Sequence, residues 1–390
     1  MKKNLSTEIP RTAPPSAADA RFMAMAFAHA RLVKGKTLPN PAVGAVLVKN
    51  GRVVGQGGTR PAGQAHAEVV ALTAAGLRAK GATLYVTLEP CNHFGRTPPC
   101  SHALVAAGVV RVVAACPDPN PKVSGSGFAT LRNAGIAVEV APPGSRWRDE
   151  AESFYAGFFF WLRHGRPRIV VKIAQSADGR INAAPGQQTP LTGLEAQRAA
   201  HALRASADAI LVGGLTVRVD NPDLTPRLTG GPKPQVLVLT RGGSLDPKLK
   251  VFAQPRTPKT RLLAPKRPKN LPKWVDFTPI SLEMTKKVAG ATAAQNRQNQ
   301  RKLAHALLEV FNESGYHEVL VEGGRAVWGP FLESGLCDVF CLLTAPQLLP
   351  RGEAWAKELG PAWGKPLEFH RFTPLDRDSL IEFRRRVSAR

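Results

Sequence analysis

His66-Ala67-Glu68 opens, and Glu89-Pro90-Cys91-Asn92-His93-Phe94-Gly95-Arg96-Thr97-Pro98-Pro99-Cys100 closes, the stretch on which the reading of this chain turns. One histidine and two cysteines are the borderline-soft donors that zinc prefers, and three protein ligands leave a fourth position for water. Glu68, two residues after the first donor, can move protons without being a ligand. Neither half of the pattern is specific alone. His-x-Glu is common by chance, and the eight residues between Cys91 and Cys100 exceed the short hairpin of a structural zinc site. Together they sit on a defined frame. His-Ala-Glu begins an apolar helical run (Val69, Val70, Leu72, Ala75), and the β-rich run Thr83–Leu88 delivers Pro90-Cys91. A second helix starting near Cys100 brings all three donors to one edge of a sheet. The competing reading, a structural zinc or two buried free cysteines, has no use for Glu68 beside an open coordination position. Ligand type alone leaves zinc and iron both open.

Groups of this kind activate water for attack on an amidine carbon, the glutamate carrying the proton to the leaving ammonia. With Pro39-Asn40-Pro41-Ala42-Val43-Gly44 added, the motifs resemble the bifunctional deaminase/reductase family of riboflavin biosynthesis, over residues 20 to 350. The resemblance implies a three-layer α/β/α cytidine-deaminase-like domain followed by a dihydrofolate-reductase-like α/β domain. It implies deamination of a diaminopyrimidinone ribosylamine phosphate to the aminouracil, then NADPH-dependent reduction of the ribosyl to the ribityl chain. It gives His66, Cys91 and Cys100 to Zn2+ and makes Glu68 the general acid/base, the roles their chemistry already suggests. Asn40 then contacts the pyrimidine; read alone, it is equally an Asx turn. In the second half the resemblance places Gln188, Arg204, Leu224, Arg227 and Glu322 at the substrate. It places Ala174, Pro190, Thr216, Asp220, Gly323 and Gly324 at NADPH. Arginine suits the ribose phosphate because its fork meets phosphate in a bidentate way. Lys172 and Asp178 share the first-strand motif of this half without an assigned role. The chain departs from the family at Pro190, where a tryptophan is usual, at Leu38-Pro39 and at Leu348-Leu349-Pro350.

Outward from the motif, residues 1–18 read as a disordered tail, 19–142 as the zinc domain, 143–167 as a connecting helix and 168–390 as the reductase domain. Asp19 is expected to cap a helix running to Lys34, with Phe22, Met23, Ala26, Phe27 and Ala30 on one face. Val43–Val48 and Arg52–Gly55 form a hairpin around Asn50-Gly51, which accepts positive φ. After Cys100 helices and strands alternate, which gives a parallel sheet with the site at strand ends. The loop Pro117-Asp118-Pro119-Asn120-Pro121 is either a plain turn or a wall of that site. Arg146–His164 is read as one helix with Phe154, Phe158, Phe159 and Trp161 aligned for burial. Strands at Arg168–Ala174, Ala209–Val212, Val236–Thr240, Thr260–Leu263 and Val319–Val321 follow, with helices at Leu194–Ala205 and Lys302–Asn312. Residues 241–300 read as a variable loop and flexible insert. Glu322-Gly323-Gly324 leads into a helix whose first N–H groups can hold a phosphate. No Gly-x-Gly-x-x-Gly fingerprint exists, so the Rossmann fold is not supported.

At 390 residues, 43% apolar and 21% charged, the chain reads as globular, with two cores. It has no apolar run of membrane-spanning length and no signal core behind Lys2-Lys3. Five cysteines without paired spacing argue for a reducing compartment, and we expect a cytoplasmic homo-oligomer acting on a phosphorylated small molecule. The net charge of +24 raises a second reading, a nucleic-acid deaminase or RNA-binding protein. That reading gives the second half no role. The basic stretch Lys248–Lys287 has only Phe252, Trp274 and Phe277 as aromatics, which does not make a stacking platform. Nucleic acid is therefore disfavoured. A third reading, motivated by Pro190, is a deaminase whose reductase half has decayed.

Overall fold

The computed structural model describes residues 17–95, 98–121, 123–242, 245–281, 292–356 and 367–386. Residues 1–16 of the expected tail, 282–291 of the expected insert, and Arg96 and Thr97 of the motif lie outside them. The chain divides into two compact units, Met1–Tyr155 and Ala156–Arg390.

The first unit runs α1 (Ala17–Val33), β1 (Gly44–Lys49), β2 (Arg52–Gly58), α2 (Ala67–Ala75), β3 (Thr83–Val86), α3 (Cys100–Ala106), β4 (Arg111–Ala114), α4 (Ser126–Asn133), β5 (Ala137–Val140) and α5 (Arg146–Phe154). Its sheet has the order β2-β1-β3-β4-β5, antiparallel across β2-β1-β3 and parallel across β3-β4-β5. Asn50 and Gly51 take φ of 49° and 72° in the expected hairpin turn. Side chains alternate faces along a strand, and the glycines of the hairpin show what each face holds. A Cβ on Gly44 would lie 1.9 Å from the Ala26 carbonyl oxygen of α1, and one on Gly55 2.2 Å from the Ala71 oxygen of α2. The pairing puts Gly44 opposite Gly58 and Leu47 opposite Gly55, so α1 and α2 cover opposite faces.

Two expectations are corrected here. Asp19 is not a cap: it lies in the first turn of α1, buried, and accepts hydrogen bonds from the Tyr85 hydroxyl (2.5 Å) and Arg111 Nη1 (3.0 Å). Arg146–His164 is two helices, because the backbone leaves helical geometry at Tyr155 (φ −95°, ψ 8°). The buried Tyr155 hydroxyl is fixed on the Ala42 carbonyl (3.0 Å) and on Thr87 Oγ1 (2.7 Å).

The second unit runs α6 (Ala156–His164), β6 (Arg168–Ser176), α7 (Leu194–Ser206), β7 (Ala209–Gly213), α8 (Gly214–Asp220), β8 (Gln235–Leu239), β9 (Arg261–Ala264), β10 (Asp276–Pro279), α9 (Ala293–Glu313), β11 (Glu318–Val321), α10 (Arg325–Glu333), β12 (Val339–Ala345), β13 (Leu367–Leu375) and β14 (Asp378–Arg385). Its sheet has the order β10-β9-β8-β7-β11-β6-β12-β14-β13, parallel from β10 to β12, with β14 and β13 antiparallel. Strands such as Ala209–Gly213 and Glu318–Val321 are buried at every residue, as parallel strands covered on both faces are. Val170, Ile210, Val212, Val236 and Leu320 pack with Ala196 and Ala200 of α7. The insert also needs correction. It contributes β10, and α9 begins at Ala293, nine residues before the expected Lys302. A reciprocal capping box between Thr292 and Gln295 starts that helix in polar sequence.

Candidate functional site

His66 immediately precedes α2, Cys91 lies in the loop after β3, and Cys100 opens α3. His66 Nδ1 stands 3.5 Å from Cys91 Sγ and 3.4 Å from Cys100 Sγ, and the three donor atoms lie within 4.8 Å of one another. The Cys100 N–H points at Cys91 Sγ (3.4 Å) and the Ser101 N–H donates to the Cys91 carbonyl (3.1 Å), so the start of α3 is folded onto the first cysteine. The hydrogen bond from Cys100 brings the Cys91 thiol down to about 4, against burial and with help from His66. Cys100 is pushed well above the thiol range by Cys91 and by burial. Two thiols and an imidazole this close together can take a divalent cation in exchange for protons. Nitrogen and sulfur donors in this number fit zinc.

Glu68, in the first turn of α2, is 3% exposed. Burial, then the Cys91 thiolate, push its carboxyl up to about 7, with His66 opposing. Asn40 closes a turn through its backbone, its N–H donating to the Thr37 carbonyl (2.9 Å) and its carbonyl accepting from Thr37 Oγ1 (2.9 Å). Its carboxamide bonds nothing among the described residues, so the Asx-turn alternative has no bond to rest on. Burial, Glu89 and Cys91 raise the Asp118 carboxyl to about 6, which puts the Pro117–Pro121 loop within electrostatic reach of the donor sulfur. Glu89, read in the sequence only as part of the motif, accepts N–H groups from Asp118 (3.2 Å), Gly125 (3.1 Å), Gly127 (3.1 Å) and Phe128 (3.3 Å). It ties that loop and the start of α4 to the cysteine segment.

In the second unit the buried Glu322, just past β11, accepts from Arg204 Nε and Nη2 of α7 at 2.9 Å each, and lies 3.2 Å from Lys172 Nζ of β6. These two cations overcome burial and hold its carboxyl well below the usual carboxylate range. Asp220, ending α8, is half-buried; burial raises its carboxyl and Lys172 opposes the rise. Gly323 takes φ +99°, and a Cβ there would lie 2.9 Å from Thr216 Oγ1, so backbone and hydroxyl meet before α10 begins. That cradle sits where β8 follows β7 to one side of the sheet while β12 lies on the far side of β6, the position at which open α/β sheets bind ligands. Ala174 is half-buried near the end of β6, and Leu224 is buried with φ +60°. Gln188, Pro190 and Arg227 lie exposed in loops. The Pro190 carbonyl accepts from Gln347 Nε2 at 3.4 Å and that of Leu191 at 2.9 Å. Asp178 accepts from Ser176 Oγ and the Leu349 N–H and so secures a turn. The structure thus gathers Lys172, Arg204, Asp220 and Glu322, and separately Thr216 and Gly323. Sequence reasoning passed over Gln347 and His201. Only His201 carried a signal, three residues before Arg204 on one helix face.

A family model for the cytidine and deoxycytidylate deaminase zinc-binding region matches residues 16–116, and one for the RibD C-terminal domain matches residues 167–362. The chain is 38% identical over 343 residues to the riboflavin biosynthesis protein RibD of Aquifex aeolicus, covering 86% of this chain and 88% of that one. Among solved structures, RibD of Acinetobacter baumannii superposes with a TM-score of 0.68 at 33% identity, covering 95% of this chain and 99% of that one. A diaminohydroxyphosphoribosylaminopyrimidine deaminase/5-amino-6-(5-phosphoribosylamino)uracil reductase from Thermotoga maritima gives 0.69 at 29% identity, covering 94% and 99%. With both halves matched in order and along most of its length, the chain belongs to the family of bifunctional deaminase/reductases of riboflavin biosynthesis.

Proposed function

We propose that residues 19–142 deaminate a phosphoribosylated diaminopyrimidinone and that residues 168–390 reduce the ribosyl chain of the product. The observation that carries the first step is the grouping of His66 Nδ1 with Cys91 and Cys100 Sγ beside the buried Glu68. His66, Cys91 and Cys100 would hold the zinc, which would supply an acidified water. Glu68, buried beside those donors without being one of them, would take a proton from the attacking side and return it to the departing ammonia. Asn40 offers its uncommitted carboxamide to the pyrimidine edge, and the loop held by Glu89 closes the other side.

For the second step, NADPH bound in this half would be the source of hydride for the ring-opened sugar carbon. Gly323, Gly324 and Thr216 would form the cradle for its phosphates, and Ala174, Pro190 and Asp220 would be its other contacts. Glu322 acts through its neighbours: it fixes the Arg204 fork and Lys172 rather than presenting free oxygens to substrate. Arg204 and Arg227 meet the ribose phosphate, with Gln188 and Leu224 lining the approach. We place the enzyme in the cytoplasm as a homo-oligomer, without nucleic-acid partners; among the described residues no helix is long and apolar enough to cross a membrane.

A coupled assay tests this reading. Substrate is generated from GTP by a cyclohydrolase, and ammonia release and NADPH absorbance are followed together on zinc-loaded protein. Both signals are expected. Ammonia without NADPH consumption establishes a decayed reductase, and neither signal with zinc bound sends the search to RNA substrates.

A further inference from the structure

We propose that His201 is a positioning residue of the reductase half, whose neutral ring holds the Arg227 turn by accepting the Leu228 N–H and lets it go when protonated. The inference rests on the reading of Arg227 as a phosphate ligand. The Leu228 N–H donates to His201 Nδ1 at 3.1 Å, and the ring is 4% exposed. Leu228 directly follows Arg227, in a turn closed by the Thr229 and Gly230 N–H groups on the Pro226 carbonyl (3.2 and 2.8 Å). Arg227 itself is exposed and makes no hydrogen bond or ion pair with the described residues. Its placement therefore depends on the backbone beside it, and His201 provides the side-chain anchor there.

An Nδ1 that accepts is unprotonated, so the proton of the neutral ring sits on Nε2. That nitrogen faces Arg204 Nη1 at 3.4 Å, a donor opposite a donor. Arg204 comes from the same helix and Arg227 from the turn. Glu322 beyond β11 and Asp223 beyond α8 are the acids in range. Burial, then Arg204 and Arg227, lower the basicity of the ring, and Glu322 and Asp223 oppose them. A depressed basicity favours the neutral form in the fold, so the anchor persists above the lowered range and is lost as pH falls through it. A protonated ring has two donors and no acceptor for Leu228.

The test uses full-length, zinc-loaded enzyme supplied with deaminated substrate, with kcat and KM read from NADPH oxidation between about pH 4.5 and 8.5, a range that extends well below the ordinary histidine value of about 6.5. His201→Leu removes the acceptor and is expected to raise KM about tenfold with kcat within about twofold, the loss of one buried hydrogen bond. His201→Asn keeps an acceptor near the Nδ1 position but does not titrate, and is expected to match the wild-type KM at high pH. The substrate phosphate itself titrates near 6 (approximately), so His201→Asn reports that contribution alone. The wild-type KM must rise more steeply in acid than that of His201→Asn. Coincident profiles overturn the proposal, and so does an unchanged KM in His201→Leu. If the leucine variant does not fold, the asparagine comparison decides. Arg227→Ala is run in parallel. A KM raised at every pH upholds the reading of Arg227 whatever the His201 variants show; an unchanged KM removes that reading, and the proposal with it.

Discussion

In the first unit the buried acid Glu68 faces two sulfurs and an imidazole and is pushed up to about 7. In the second the equally buried Glu322 lies between Lys172 and Arg204 and is held far below the carboxylate range. Both are glutamates within the first residues after a helix start or a strand end, and burial alone raises both. The neighbours decide. A carboxyl beside anionic sulfur is pushed toward its protonated form. A carboxylate forked by arginine becomes a fixed charge that orients cations. The difference separates a reacting group from a supporting one without reference to which residue type is present.

The largest effect that would break this contrast is in the first unit. Glu68→Gln should cut ammonia release about a thousandfold or more, while NADPH oxidation on supplied deaminated substrate stays within about twofold. Comparable losses in both assays would mean that the two halves do not work separately. Next, Glu322→Gln leaves Lys172 and Arg204 facing each other without their counter-charge. Removing one partner of such a pair costs about 3–5 kcal/mol, to be read as an earlier unfolding transition of the second unit in urea with zinc content unchanged. The same pair fixes a pH window. Because the folded-state acidity of Glu322 is enhanced, its stabilisation is present above the ordinary carboxylate range and is lost as pH falls below it. The wild type should therefore lose stability in acid more steeply than Glu322→Gln. A smaller effect sharpens the cofactor side. Gly323→Ala forces a methyl against Thr216 at φ +99° and should weaken NADPH about tenfold in a fluorescence titration. The smallest concerns the +24 charge. Lys266→Glu with Lys269→Glu, both exposed between β9 and β10, should shift stability by no more than about 0.5 kcal/mol and leave both activities unaltered. A marked loss would show that the basic surface does more than stay solvated.

The same contrast explains what could be read from sequence. His66, Glu68, Cys91 and Cys100 all come from one helix start, one loop and the next helix start, so chain order carries their proximity. The hairpin at Asn50-Gly51 and the strand–helix alternation are local signals too. Lys172, Arg204 and Glu322 come from three elements far apart in the chain, and no short-range pattern links them; the family resemblance supplied two of the three. Misreadings arose where a local rule met a tertiary bond. Asp19 has the composition of a cap but is taken by Tyr85 and Arg111. The continuous helical pattern of 146–164 is interrupted at Tyr155, whose hydroxyl is held on the Ala42 carbonyl and Thr87. Ala293–Gln300 is polar enough to look like a linker, and its capping box was overlooked.

The place of β11 has a bearing on how the chain is made. The first sheet grows largely at its edges, from the β1–β2 hairpin through β3 and β4 to β5, so each new strand finds its neighbour already synthesised. In the second sheet β6 and β7 are both paired to β11, which leaves the ribosome only after β8, β9 and β10 have appeared. Until Val321 emerges, the nascent reductase half consists of one four-stranded fragment, β10-β9-β8-β7, and the lone strand β6, with open apolar edges. Such edges are the surfaces through which growing chains associate wrongly. Chaperone dependence and loss to aggregates should therefore concentrate in the interval between translation of Gly213 and of Val321, after the zinc-binding half has already folded.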